Sequence, residues 1–169
     1  MKKILELPSK GRRSEFLAAV KRSRKLHGHW VSPPRTVKAF DKNLERFASK
    51  AHVGYWVVTE SGELAGAINI NEIVRGTFRS GYLGYYSLAP HNGRGHMMAG
   101  LHAVVSRAFQ QLHLHRLEAN IQPDNDASRR LVKQLGFRLE GYSPRYLKIA
   151  GKWRDHERWA LTLEDWIGS

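Results

Sequence analysis

At 169 residues the chain is long enough for one domain with a real hydrophobic core, and a 41% apolar share with aromatics spread from Tyr55 to Trp166 excludes a disordered tail. The absence of cysteine excludes disulfides and a thiolate nucleophile, so any acyl transfer must be direct, and no stretch approaches the roughly 18–20 apolar residues of a membrane span. The formal charge of +13 is uneven: residues 1–50 carry 14 Lys plus Arg against 4 Asp plus Glu, a field that attracts RNA or another polyanion and fades with salt, or else a solvated helix face.

The start Met1-Lys2-Lys3-Ile4 has charge but no apolar run of signal-peptide length behind it, which makes the cytoplasm the expected location. From Ser14 to Leu26, Phe16, Leu17, Val20 and Leu26 suit one helical stripe opposite Lys21, Arg22, Arg24 and Lys25. Pro33-Pro34 interrupts the chain, and Thr36 is placed to cap a second helix carrying Phe40, Leu44 and Phe47. Residues 1–50 thus form a basic helical part preceding a core at 54–165, the whole of 1–169 being one domain.

Tyr55 to Val58, a turn at Glu60-Ser61-Gly62-Glu63, and Leu64 to Ile70 predict a hairpin, and a third strand follows at Ser80 to Leu88. Pro90, Gly93 and Gly95 turn the chain before a helix from Met97 to Leu112 that buries Leu101, Val104, Val105, Ala108 and Phe109. His115 to Gln122 alternates as a half-buried strand, and a short helix from Ala127 to Leu135 ends at Gly136. Closing strands are expected at Phe137 to Glu140, Arg145 to Ile149 and Arg158 to Leu163. His113-x-His115 has the spacing of a metal pair but no carboxylate or cysteine beside it, and no metal is expected.

The order strand, Leu88-Ala89-Pro90, His91-Asn92-Gly93-Arg94-Gly95-His96-Met97, helix aims free backbone N–H groups outward at a helix N-terminus. A pyrophosphate fits such a site: glycines allow close approach, the helix dipole favours negative charge, and Arg94 adds a charged contact. The triphosphate loop is excluded by the missing Lys-Ser or Lys-Thr pair, and the dinucleotide fingerprint by Met98 in place of its third glycine.

With Asn125-Asp126-Ala127-Ser128, Leu131, Leu135, Gly136-Phe137 and Glu140-Gly141 downstream, this stretch resembles the acyl-CoA-binding signatures of the GNAT acetyltransferase superfamily. Asn92 stands where that loop has Gln or Arg, and Met97 where it ends on a small residue. Val74-Arg75-Gly76-Thr77-Phe78, Tyr82-Leu83-Gly84-Tyr85 and Ile149 through His156 resemble the ribosomal-protein alanine N-acetyltransferases within it. The likeness spans 54–165. It implies an α/β fold with a mixed, mostly antiparallel twisted sheet, helices on both faces, and a V-shaped split that admits acetyl-CoA.

By the same resemblance, Ser87 and Leu88 would pair with the pantetheine arm, Gly93, Arg94, Gly95, His96 and Met97 would cradle the pyrophosphate, and Asn125 would contact the cofactor or the backbone beside it. Ser128 carries over as the catalytic group that protonates the departing CoA thiolate or steadies it by a hydrogen bond. Strand backbone near Leu88 would serve as oxyanion donor. No side chain carries over as the base: Leu147 stands where some relatives have a glutamate, leaving a water relay, Glu118 or Glu72. Tyr146, Trp153, Asp155 and His156 fall near the acceptor groove. The implied acceptor is a protein or peptide N-terminus, ribosomal by family, with RNA contact through the basic helices and a monomer or homodimer as the assembly. A small-molecule amine acceptor, and a non-catalytic RNA-binding module that keeps the fold, are the alternatives.

Overall fold

In the computed structural model, which describes residues 4–167, the chain runs β1 (Leu5–Glu6), α1 (Arg13–Arg22), α2 (Arg24–His27), α3 (Val37–Arg46), β2 (Val53–Val58), β3 (Leu64–Val74), β4 (Ser80–Ser87), α4 (His96–Gln110), β5 (Arg116–Ile121), α5 (Asp126–Gln134), β6 (Arg138–Ile149), β7 (Lys152–Thr162) and α6 (Leu163–Ile167). The Met1–Lys3 part of the expected leaderless start lies outside the described residues. The strands form one sheet in the order β1-β2-β3-β4-β5-β7-β6, antiparallel throughout except where β4 meets β5. The expected mixed, mostly antiparallel sheet is therefore what the chain builds.

Each face of the sheet carries its own apolar layer. On one, Leu101, Val104, Val105, Ala108 and Phe109 of α4 pack over Val57, Ile68, Ile70 and Leu117. On the other, Phe16, Ala19, Val20 and Phe40 of α1 and α3 cover Trp56, Val58, Leu64, Ala67 and Leu88, with the Phe16 ring stacked 5.6 Å from Trp56. Each fully buried Leu, Ile or Phe contributes on the order of 1.5–3 kcal/mol, so both layers are needed to hold the sheet. Gly100 sets the depth of α4, because a Cβ there would meet Val57 Cγ2 at 2.5 Å. As expected, Thr36 caps α3: its Oγ1 accepts the Ala39 N–H at 3.1 Å. Among the described residues no helix is long and apolar enough to cross a membrane.

Several boundaries differ from the sequence expectation, among them the strand expected from Arg158, which begins at Lys152. The single helix expected from Ser14 to Leu26 breaks at Ser23, whose buried hydroxyl donates to Ala19 O at 2.7 Å and accepts the Ala89 N–H at 2.9 Å. That bend leaves Leu26 exposed and buries His27 instead. The strands expected at 137–140 and 145–149 are one strand, β6, which absorbs the intervening residues as register shifts against β7. The β6–β7 turn at Ala150-Gly151 has positive φ at both positions (49° and 81°), the backbone of a two-residue hairpin loop. Finally, β1, α2 and α6 are too short to leave a periodic signal.

Candidate active site

The sheet opens where β4 and β5 part. They pair only over Ser80–Leu83 and Arg116–Ala119; beyond that, β4 continues along β3 and β5 along β7. This is the expected V-shaped split. Bonded and non-bonded positions alternate along an antiparallel ladder, and Leu88 N–H donates to Ala65 O at 2.8 Å. Tyr85 and Ser87 therefore turn their N–H and C=O groups into the gap, whereas Leu88 turns away. Leu88 is fully buried, and its carbonyl accepts the His91 N–H at 3.0 Å. Near Leu88, the backbone N–H groups open to the gap are therefore those of Tyr85 and Ser87.

One side of the gap opens into a cavity of about 660 Å³ that reaches the start of α4. Ser87, Gly93, Gly95, His96, Met97 and Asn125 all line it. Gly93 and Gly95 have φ of 74° and 81°, and a Cβ on either would meet nothing within 4 Å, so the turn demands glycine for its conformation while its outer surface stays open. The N–H groups of the first turn of α4 have no intrahelical acceptor, and the residues of that turn line the space. An anion there would meet several N–H donors and the positive end of the helix dipole. Arg94 is exposed and does not line the wall.

Two further features of this side left no sequence signal of their own. His27 Nε2–H donates to Ser87 O at 2.8 Å, and burial lowers its pKa below the ordinary histidine value. The bend at Ser23 is what delivers it there. Gln122, buried at the end of β5, donates from Nε2 to His29 O at 3.1 Å, which pins the loop carrying Trp30 and Val31 over the gap. Both residues line this cavity and the next.

Asn125 and Ser128 sit at the junction of the two cavities. Asn125 caps α5, its Oδ1 accepting the Ser128 N–H at 3.2 Å, so its side-chain oxygen serves the local role and only the amide NH2 remains for a ligand. Ser128 Oγ lies 2.6 Å from the Tyr85 hydroxyl. Burial pushes the Tyr85 phenol up to about 12, with the Ser128 hydrogen bond opposing it. Tyr85 therefore stays protonated near neutral pH and holds the pair as hydrogen-bond donors.

Across the gap a second cavity of about 620 Å³ is walled by Trp30, Asn71, Tyr82, Asn120, Tyr146 and His156. Glu72 is the carboxylate on this wall, its side chain 69% exposed at the rim 3.9 Å from His52. Leu147 lines the cavity where a glutamate was sought. Glu118 does not line it: its carboxylate accepts from Arg116 Nε at 2.8 Å. The expected aromatic and acidic cluster divides, because alternate residues of β7 face opposite sides. Tyr146 and His156 line the cavity, their rings 6.3 Å apart, whereas Trp153 is 61% exposed and Asp155 accepts from Arg145 N–H (2.7 Å) and the Tyr142 hydroxyl. Those two donors hold the Asp155 carboxyl below its ordinary pKa and secure the irregular part of β6. At the metal-like pair, His115 Nε2 meets Glu164 at 3.0 Å.

Against known proteins, residues 8–138 match the acetyltransferase (GNAT) domain family. Over 104 residues the chain is 42% identical to the [ribosomal protein uS5]-alanine N-acetyltransferase of Escherichia coli (strain K12), a match covering 62% of this chain. The chain spans about half the length of that relative, 54%. The solved structure of Mycobacterium smegmatis RimJ in complex with CoA-disulfide superposes with a TM-score of 0.85 at 25% identity, covering 95% of this chain and 82% of that one. The spermidine N-acetyltransferase of Vibrio cholerae, in complex with CoA and spermine, shares the fold with a TM-score of 0.82 at 18% identity, covering 96% of each chain.

Proposed function

The chain belongs to the GNAT acetyltransferase domain family, and from that premise we propose that it is an acetyl-CoA-dependent N-acetyltransferase acting on the N-terminal amine of a protein, a ribosomal one by the character of its relatives. The cofactor lies in the cavity at the head of α4, with its pyrophosphate over Gly93 to Met97 and its pantetheine arm along the open edge at Tyr85 and Ser87. The acetyl carbonyl accepts one of those N–H groups, which stabilises the oxyanion as it forms. The amine enters from the other cavity and attacks through the gap. Ser128 steadies the departing thiolate by a hydrogen bond rather than by giving up its proton: a thiol titrates near 8.5, and a Ser–Tyr pair whose phenol sits at about 12 is the weaker acid.

The observation that carries the choice of acceptor is the single carboxylate, Glu72 at the rim, on a wall otherwise made of aromatic, amide and aliphatic side chains with one cation, Arg46. One cationic group followed by peptide amides suits that wall; a polyamine, with several charges to neutralise, does not. The surplus of positive charge at the N-terminal end points the same way, repelling polyamines and attracting ribosomal RNA. The cytoplasm is the matching location. The test is acetylation of an alanine-initiated peptide against spermidine at equal concentration, followed by mass spectrometry. A kcat/KM at least tenfold higher for the peptide is expected. Preference for spermidine would move the reading to small amines, and salt-sensitive RNA binding with no turnover of either would replace it with a binding module.

A further inference from the structure

Proton removal is the step for which the resemblance carries over no side chain, and the acceptor cavity supplies one. His156 is 3% exposed, yet it lines that cavity together with Ser128 and Tyr85. Its Nδ1 lies 2.9 Å from Arg154 O. A carbonyl oxygen only accepts, so Nδ1 must carry the hydrogen, and in the neutral ring Nε2 is left with a free lone pair. Nε2 has no hydrogen-bond partner among the described residues and is absent from the buried atoms that lack one, which leaves it open to the cavity. A fixed tautomer, an open lone pair and a place beside the gap are the geometric requirements of a general base.

We propose that His156 Nε2 is the base that takes the proton from the acceptor amine. The amine lone pair forms the C–N bond at the thioester carbonyl carbon. The ammonium so created passes one proton to His156 Nε2. The carbonyl re-forms, the C–S bond breaks, and its electron pair leaves on sulfur beside Ser128. The imidazolium then releases its proton to solvent, and the thiolate takes one from solvent.

The charged and titratable neighbours leave this role to His156. Glu72 and Arg46 stand on the same wall, Glu72 at its rim; Tyr82, Tyr85 and Tyr146 are phenols; Asp155 and Glu157 flank His156 in sequence, Asp155 held by its own two donors and Glu157 accepting from Arg129 Nε and Trp159 Nε1. Burial lowers the His156 pKa more than Arg154 O and Asp155 raise it, so the ring is neutral at pH 7. Such a base is too weak to strip a free alkylammonium, and it does not need to. An α-amine with a pKa of about 7.8 is already about one-seventh neutral at pH 7, whereas an amine near 10.4 is neutral only about once in 2,500. A weak, neutral base therefore selects α-amines over lysine-like or polyamine nitrogens.

The inference rests on the proposed acetyl transfer, and ring NMR tests it apart from turnover. Long-range 1H–15N spectra of the native protein at pH 7 are expected to show a neutral His156 protonated at Nδ1; a proton on Nε2, or an imidazolium, overturns the assignment. In kinetics with acetyl-CoA and an alanine-initiated hexapeptide, His156→Asn keeps a donor for Arg154 O but loses the base. Its kcat should fall about 100- to 1,000-fold, with acetyl-CoA affinity by calorimetry within twofold of native. The low-pH limb of log kcat/KM should approach a slope of two in the native enzyme, for amine and His156 together, and one in the variant. Free imidazole should restore His156→Ala at least tenfold, which a merely structural histidine would not show. A kcat within threefold of native and an unchanged slope overturn the inference in favour of a water relay. If the native enzyme acetylates spermidine but not the peptide, the acceptor reading fails and the same variants run with spermidine decide the base. Binding of acetyl-CoA with no amine acetylated at all removes both.

Discussion

The two cavities flanking the gap between β4 and β5 are nearly equal in volume, about 660 and 620 Å³, share Trp30, Val31, Tyr85, Asn125 and Ser128, and differ in what else builds them. The side that reaches α4 adds a stretch of backbone surface: an open strand edge, two glycines at positive φ and the first turn of a 15-residue helix. The other is a side-chain surface, assembled from the loop at Trp30, the ends of β3, β4 and β5, and the β6–β7 hairpin. A backbone site is tolerant of sequence wherever conformation is kept, and intolerant of anything that disturbs φ. A side-chain site inverts that sensitivity. The first suits a donor that is the same in every turnover, and the second suits an acceptor that differs between relatives.

The largest expected effect comes from breaking the backbone side. Gly95→Asp places an L residue where φ is 81° and a carboxylate where phosphates would lie, and calorimetry should show acetyl-CoA affinity at least 100-fold weaker. Gly95→Asn, which tolerates the left-handed conformation and carries no charge, should lose no more than about tenfold. A smaller effect is expected at the junction. Ser128→Ala removes a hydrogen bond to developing negative charge, worth about 1.5–3 kcal/mol, so kcat should fall at least tenfold while donor affinity stays within twofold. Smaller still is the effect at the side-chain rim: Glu72→Gln should raise KM for a cationic peptide about threefold, in the range of an exposed charge pair, and leave acetyl-CoA binding unchanged.

The least effect is a pH dependence that tests the anchoring of the β4 edge. Burial lowers the pKa of His27, so as pH falls below about 6.5 the unfolded chain takes up a proton before the folded one does. The stability present above that value is lost as pH falls toward the folded pKa. The melting temperature of the native protein should decline between pH 7.5 and 5.5, and His27→Gln, which can keep a donor for Ser87 O without titrating, should decline by a few degrees less. Equal slopes would show that His27 does not control the edge.

The same division governs how much was legible in the sequence. The order of strands and helices followed from periodicity, and the loop at Gly93 to Met97 stood out because the glycines that its conformation needs lie close together in the chain. Asn125 and Ser128 fell within reach for the same reason, a helix start with its cap. Of Ser87 and Leu88, both assigned to the open edge, only Ser87 turns its N–H toward the gap, because a strand alternates: which of the two faces the gap depends on register against β3, which residue types do not specify. His27 was hidden by an unbroken apolar stripe, since nothing in it marks Ser23 as a bend whose hydroxyl serves Ala19 and Ala89. Trp153 and Asp155 were grouped with Tyr146 and His156 by proximity in sequence, and the pleat of β7 separates them. His156 as a base could not be singled out, because what qualifies it is a bond to Arg154 O that fixes its tautomer.

The early parting of β4 and β5 has a thermodynamic consequence beyond catalysis. A sheet interrupted at its centre lacks cross-strand pairing that a pantetheine arm lying along Tyr85 and Ser87 would supply, and the donor would then be a missing strand as well as a reactant. A ligand that binds only the folded form at a hundred times its dissociation constant adds about 2.7 kcal/mol to stability. The lifetime of this protein against unfolding and proteolysis would then rise and fall with the cell's supply of activated acetate.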